Sequence, residues 1–258
     1  MKVEEVTAKH KEFMGYLASD PLRNTFALYD LTEEGERVRC YAASREGAFR
    51  GYILLWHGAE YPSVILHGSQ EAAHELLPRA PMESCTFLVN PPLRSCVEET
   101  RRITAHHVMD VMAVDRDGAR LPDVKKARRL QPWDAAGLAA LYNEIGQGGR
   151  DYETWISRGI AYGIFESNRL VSVAGTHVLS KDLCLVGGVY TSRDARMRGY
   201  AAEVTVAVTR HALRQVPTVS LLVVSINKVA IRLYEKLGYR KVMEWVWMDV
   251  GTGRRPLM

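Results

Sequence analysis

The chain has 258 residues, 47% of them hydrophobic and 25% charged, with a formal net charge of +4. That length supports a substantial core and two compact domains, and so mild a basic excess, mixed with acids throughout, does not mark a nucleic-acid binder. No stretch reaches the ~20 apolar residues of a membrane span, and charges interrupt the first residues as they would not in a signal peptide. The four cysteines, Cys40, Cys85, Cys96 and Cys184, are scattered and read as free thiols. His106 and His107 lack ligand-spaced companions, so no metal site is expected. The cytoplasm is the expected compartment.

Residues 3–18 place Val6, Phe13 and Leu17 near helical spacing, which predicts an amphipathic helix broken at Asp20-Pro21. Strands are predicted over 38–43, 49–56 and 64–67, with Arg45-Glu46-Gly47 as the hairpin turn between the first two. Ser69 is a suitable cap for a short helix over 70–77, closed by Pro78. A strand at 86–89, a helix over 93–105 and a strand at 108–114 follow, and Asp115-Arg116-Asp117-Gly118 is a turn. The cluster Lys125, Lys126, Arg128 and Arg129 reads as a solvated linker.

A second unit begins near residue 125, which divides the chain into 1–124 and 125–258. Arg129-Leu130 ends a short strand, and helices are predicted after Gln131-Pro132-Trp133-Asp134 and around 156–160. Strands at 161–165, 170–178 and 183–190 precede a polar loop, a helix from Gly199 to about Arg214, and an apolar, central strand at 219–224. A helix over 227–237, stopped by Gly238, leads to a last strand at 241–250. The order β-α-α-β-β-β-α-β-α-β predicts an α/β (α+β) fold with a mixed, mostly antiparallel sheet flanked by helices. Both halves follow a similar order, which suggests a degenerate repeat.

Chemistry concentrates where the third of these strands meets its helix, at Val189-Tyr190-Thr191-Ser192-Arg193-Asp194-Ala195-Arg196-Met197-Arg198-Gly199-Tyr200-Ala201. Free backbone N–H groups at a helix start, with the helix dipole, suit an anion. Gly199 admits a phosphate close to the main chain, Ala201 leaves it unobstructed, and Arg196 and Arg198 supply charge-assisted hydrogen bonds. A pyrophosphate fits this loop; a solvated turn whose glycine serves only its geometry also fits. No Gly-Lys-Ser/Thr follows, so the loop is not a mononucleotide P-loop.

The run Arg196-Met197-Arg198-Gly199-Tyr200-Ala201 resembles the Arg/Gln-x-x-Gly-x-Gly/Ala signature of the GCN5-related N-acetyltransferases. Asn227, Ala230, Tyr234, Gly238 and Tyr239 resemble the family's second motif, Asn-x-x-Ala-x-x-x-Tyr-x-x-x-Gly-Phe/Tyr. Val189-Tyr190-Thr191 is similar to the glycine N-acyltransferase branch, whose N-terminal half is itself a decayed acetyltransferase-like domain. The resemblance implies two tandem acetyltransferase-like domains and acetyl-coenzyme A as cosubstrate, released as coenzyme A. It implies pantetheine contacts from the backbone of Val189 and Thr191. It also implies a pyrophosphate cradle from the loop Arg196–Ala201, Met197 included, and a further contact from Asn227. Tyr234 would protonate the leaving thiolate, although in a stripe with Ala230, Leu233 and Leu237 it also reads as a core residue; Asn227 doubles as a helix cap.

His177 is the candidate base, with Glu144 and Glu153 as alternatives, because Gly187-Gly188 occupy the strand where many relatives carry a carboxylate. The expected acceptor is a small amine or amino acid. No membrane or nucleic-acid partner is expected, and the first half is expected to supply scaffold, one wall of the acceptor cleft or a homodimer surface. Two competing readings are a module that binds acyl-coenzyme A without turnover and a nucleic-acid- or partner-binding domain that uses Lys125–Arg129.

Overall fold

The computed structural model describes residues 1–58, 61–82 and 84–251. The chain divides into two compact units, one of Met1–Asp110 together with the chain from Met243, the other of Val111–Val242. The division falls earlier than the 124/125 boundary expected from the sequence, and the final strand is counted with the first unit.

The first half runs β1 (Lys2–Val6), α1 (Lys11–Ala18), α2 (Thr25–Glu33), β2 (Val38–Arg45), β3 (Ala48–Trp56), β4 (Ser63–Gly68), α3 (Gln70–Leu76), β5 (Cys85–Val89), α4 (Arg94–Glu98) and β6 (Ile103–Asp115). The second runs β7 (Arg128–Arg129), α5 (Ala135–Asn143), α6 (Tyr152–Arg158), β8 (Ala161–Glu166), β9 (Arg169–Leu179), β10 (Leu183–Thr191), α7 (Tyr200–Ala212), β11 (Thr218–Val224), α8 (Lys228–Lys236) and β12 (Arg240–Val250). The two halves therefore repeat one order of elements. Within the first unit the strands lie β1-β2-β3-β4-β5-β12, with β4 and β5 parallel. Within the second they lie β11-β10-β9-β8-β7, with β10 and β11 parallel and the end of β6 beside β11.

Two expectations for the first half are corrected, and one helix was not foreseen. Residues 2–6 form not the start of a helix but a strand, paired from Lys2↔Ser44 to Val6↔Cys40. Val6, Phe13 and Leu17 are all buried, so a strand residue and two helix residues share one core and imitate helical spacing. Beyond Pro21 a second helix, α2, forms without a side-chain cap to announce it. The helix expected over 93–105 shrinks to α4, after which the Arg101 guanidinium turns inward to the carbonyls of Leu77 and Ala80 and β6 begins at Ile103.

The turns follow their residue chemistry. Glu46 and Gly47 at φ 54° and 79°, and Ser167 and Asn168 at φ 46° and 66°, close tight hairpins with left-handed backbone. In the second unit the sheet separates two cores. Val171, Ala174, Cys184, Val186, Val204, Val208, Val219 and Leu221 pack with Tyr234 and Tyr239 on the α7–α8 side. Leu138, Leu141, Tyr142, Tyr152, Ile156, Leu170 and Val173 fill the α5–α6 side. Leu170 and Val171 face opposite cores, as do Val173 and Ala174, and the alternation slips one residue between the two pairs, where the β8–β9 register shifts. All four cysteines are free and buried, and no helix among the described residues is long and apolar enough to cross a membrane.

Candidate functional site

Parallel pairing of β10 with β11 runs from Leu183↔Thr218 to Val186↔Leu221 and stops there. From Gly187 onward β10 stays attached to β9 alone, through a register shift between Gly187 and Tyr190 in which Gly188 takes φ 59°. The Ser192 N–H donates to the Val171 carbonyl of β9 at 2.8 Å. Thr191, the residue before Ser192 and beyond the register shift, turns its own N–H and C=O groups to the side β11 has left. An extended chain can add there as a strand would.

The loop beyond leads to α7. Gly199 is its N-cap at φ 80°, and no side chain caps the helix. By contrast Asn227 caps α8 by accepting from the Ala230 N–H at 3.1 Å. Met197 is also left-handed, at φ 64°, and its side chain is 99% exposed, so only its backbone shapes the loop. The Arg196 Nε donates to the Thr191 carbonyl at 3.2 Å, and its guanidinium lies 5.9 Å from the centre of the Tyr190 ring. Arg198 points elsewhere: its Nη1 donates to both oxygens of Glu166, at 3.0 and 2.9 Å. The Tyr200 hydroxyl also donates to Glu166 and receives the Lys126 ammonium at 3.1 Å.

The basic cluster keeps Lys125, Lys126 and Arg128 exposed in a connecting segment, as expected, and that segment is tied to the fold by its backbone. Glu203 of α7 accepts from the backbone N–H groups of Lys125, Lys126 and Ala127. Arg128 pairs with both oxygens of Asp134 at 2.7 and 2.8 Å, and Arg129 donates to the Gly159 carbonyl at 2.6 Å.

On the α5–α6 face, Gly187 pairs across the strands with Gly175, and Gly188 follows. A Cβ on Gly187 would overlap the His177 ring, one on Gly175 the Trp155 indole, and one on Gly188 the Tyr142 hydroxyl. That hydroxyl donates to the Gly188 carbonyl. Three aromatic rings therefore rest directly on main chain where β10 departs. His177 and Trp155 lie 6.4 Å apart at 58°. Crowding by the surrounding protein, and after it the charge of Arg150, lowers the His177 pKa to about 4, although the residue keeps exposed surface.

Glu144 accepts from Tyr190 at 2.9 Å and from Ser192 at 2.7 Å. Burial works to raise its pKa, but those hydrogen bonds outweigh it and leave the carboxylate favoured. Glu153 sits exposed in the first turn of α6. On the opposite face Tyr234 is 7% exposed, its ring 6.0 Å from that of Tyr239. Burial raises its pKa to about 12.

The structure thus gathers Val189, Thr191, Arg196, Met197, Gly199, Tyr200 and Ala201 around one strand end and one helix start, and it withdraws the Arg198 side chain to Glu166. His177 and Tyr234 lie on opposite faces of the sheet. Sequence reasoning missed Trp155, Tyr142 and Glu166; the consecutive glycines 187 and 188 inside a strand were the available sign of a close approach.

The first half builds the same junction differently. Parallel pairing of β4 with β5 ends at Leu66↔Val89. Only Ser69 separates the end of β4 from α3, and the Ser69 hydroxyl caps that helix through the Ala72 N–H at 3.2 Å.

Residues 161–248 match the family model described as FR47-like protein. No curated protein sequence matches the chain. Among solved structures, a Drosophila protein superposes with a TM-score of 0.75 at 19% identity, covering 96% of this chain and 98% of its own. A tandem GNAT protein from the clavulanic acid biosynthesis pathway gives 0.62 at 13% identity, covering 99% and 100%. A GCN5-related N-acetyltransferase from Kribbella flavida gives 0.62 at 17% identity, covering 81% and 91%. The fold of the chain is that of the GCN5-related N-acetyltransferases, and within it residues 161–248 carry an FR47-like sequence.

Proposed function

We propose that the chain is an N-acyltransferase that moves an acetyl or other short acyl group from coenzyme A to a primary amine of a small molecule, in the manner of the glycine N-acyltransferase-like branch. The observation that carries this reading is the departure of β10 from β11 at Gly187, which leaves strand-like hydrogen-bonding groups in line with the uncapped start of α7. In it, Val189 and Thr191 hold the pantetheine arm by their main chain. The N–H groups of Arg198, Gly199, Tyr200 and Ala201, the left-handed turn at Met197 and the Arg196 side chain hold the pyrophosphate. Asn227 caps α8 and borders the arm.

In the reaction the amine nitrogen bonds to the acyl carbon, the carbon–sulfur bond breaks, and the sulfur takes a proton. Tyr234 is the candidate donor: its hydroxyl is protonated at neutral pH, and burial, which raises its pKa to about 12, makes it a weaker acid than an ordinary tyrosine. His177 is the candidate acceptor of the amine's proton: its ring is neutral at pH 7, although a pKa lowered to about 4 makes it a weaker base than an ordinary histidine. Backbone donors along the opened β10 stabilise the oxyanion. The second half is the catalytic one in this reading. The first half is a decayed repeat, because Ser69 occupies the helix start that would receive a phosphate.

Calorimetric titration with acetyl-coenzyme A tests the assignment. Wild type is expected to bind in the micromolar range and Gly199→Glu to lose binding, since the new carboxylate faces the phosphate loop. Tyr234→Phe should bind normally and turn over amines about 100-fold more slowly. Binding without turnover across a panel of amines would instead identify a regulatory acyl-coenzyme A module. Absence of binding by folded wild type would refute both.

A further inference from the structure

We propose that Trp155 fixes the length of the acyl group this site accepts, admitting acetyl and rejecting chains of several more carbons. The inference rests on the acyl-coenzyme A reading above and adds a selectivity residue that the family motifs do not contain.

An arm held by Thr191 and Val189, with its phosphates at α7, runs back along β10 and brings its thioester to Gly188 and Gly187, where pairing with β11 begins. Acyl carbons beyond the thioester then meet what covers these glycines on the α5–α6 face. The Trp155 indole does so from α6. It stands where a Gly175 side chain would be, and a Cβ on Gly188 would lie 3.6 Å from the same Cζ2 atom. One ring therefore spans both strands at the point of departure. The His177 ring closes the neighbouring position over Gly187, and the Tyr142 hydroxyl fixes the Gly188 carbonyl.

These rings are seated on main chain, so they cannot retreat by a rotamer change of a residue beneath them. An added methylene must displace the indole itself, and well-packed sites resist such additions. Trp155 is only partly buried and packs at the border of its core, so its loss leaves the centre formed by Leu138, Leu141 and Ile156 in place.

Titration of coenzyme A, acetyl-, butyryl- and hexanoyl-coenzyme A into wild type, Trp155→Ala and Trp155→Phe decides the matter. Wild type should bind hexanoyl-coenzyme A about 10-fold or more weaker than acetyl-coenzyme A. Trp155→Ala should recover about 10-fold for the hexanoyl thioester and leave coenzyme A itself unchanged, with Trp155→Phe between. A flat wild-type profile, or variants that keep the wild-type preference, would overturn the proposal while leaving the cofactor reading intact. Failure of folded wild type to bind coenzyme A at all would overturn both. If Trp155→Ala also loses coenzyme A, Trp155→Phe decides by the same comparison.

Discussion

At Gly187 a hydrogen atom does the work of a side chain: the His177 ring lies in the volume a methyl group would need. Gly187→Ala should therefore cost about 1–3 kcal/mol of stability, as overpacking of a filled site does. Gly187→Ala combined with His177→Ala should regain most of that loss, a coupling readable by urea denaturation of the four proteins in a double-mutant cycle. If the double variant were no more stable than Gly187→Ala, the strain would lie in the backbone bulge rather than in the ring. Asp30, on α2, presents a different conflict. Burial, aided by the charge of Glu34, raises its pKa to about 7. The folded chain thus holds a proton that the unfolded chain has released, so this group's share of stability is full below pH ~4 and is lost as pH rises through about 7. Asp30→Asn should be more stable than wild type at pH 8, on the order of 2 kcal/mol by thermal or urea unfolding, and the gain should vanish near pH 4.

Elements whose information is local were legible in the sequence. Ser69, Asn227, Gly238 and the hairpin at Ser167-Asn168 each carry their own chemistry, and the elements they bound formed where expected. Elements defined by distant partners were not. β1 is a strand because β2 offers it an edge, and the N-cap of α2, Asn24, turns its side chain away from the helix, donating to the Leu17 carbonyl and accepting from Tyr52. The same division runs through the candidate site. Arg196–Ala201 and Asn227–Tyr239 are short motifs whose spacing survives in one dimension. The rings of Tyr142, Trp155 and His177 come from two helices and a strand and meet only over the glycines of β9 and β10. The withdrawal of Arg198 to Glu166 was equally hidden, because a guanidinium in a phosphate-like loop gives no sign in sequence of a carboxylate on the strand β8.

Each half repeats one order of elements, yet the compact units do not coincide with the halves. Val246, Met248 and Val250 of β12 belong to the core of the first unit, and Val246↔Val89 through Val250↔Cys85 pair the strand with β5. Thr86 donates to Asp249 at 2.9 Å inside that pairing, and both residues are buried. A chain ending at Val242 should therefore lose the first unit's cooperative unfolding. Amide exchange in β5 is expected to accelerate toward the unfolded rate, since removal of three buried apolar side chains and a strand's ladder is comparable to the usual margin of about 5–15 kcal/mol. Retained protection in β5 would show that β12 only decorates an edge.

The partnership of Thr86 and Asp249 spans 163 residues, more than half of the chain. A ribosome adding about 5–20 residues per second finishes β5 many seconds before it makes β12. Throughout that interval the strand edge of β5 and the face later covered by Val246 and Met248 stay open, and an unpaired apolar edge is a template for pairing with another chain. The half of the protein made first is thus completed last, and its exposure in the cell is set by translation speed as much as by its own stability.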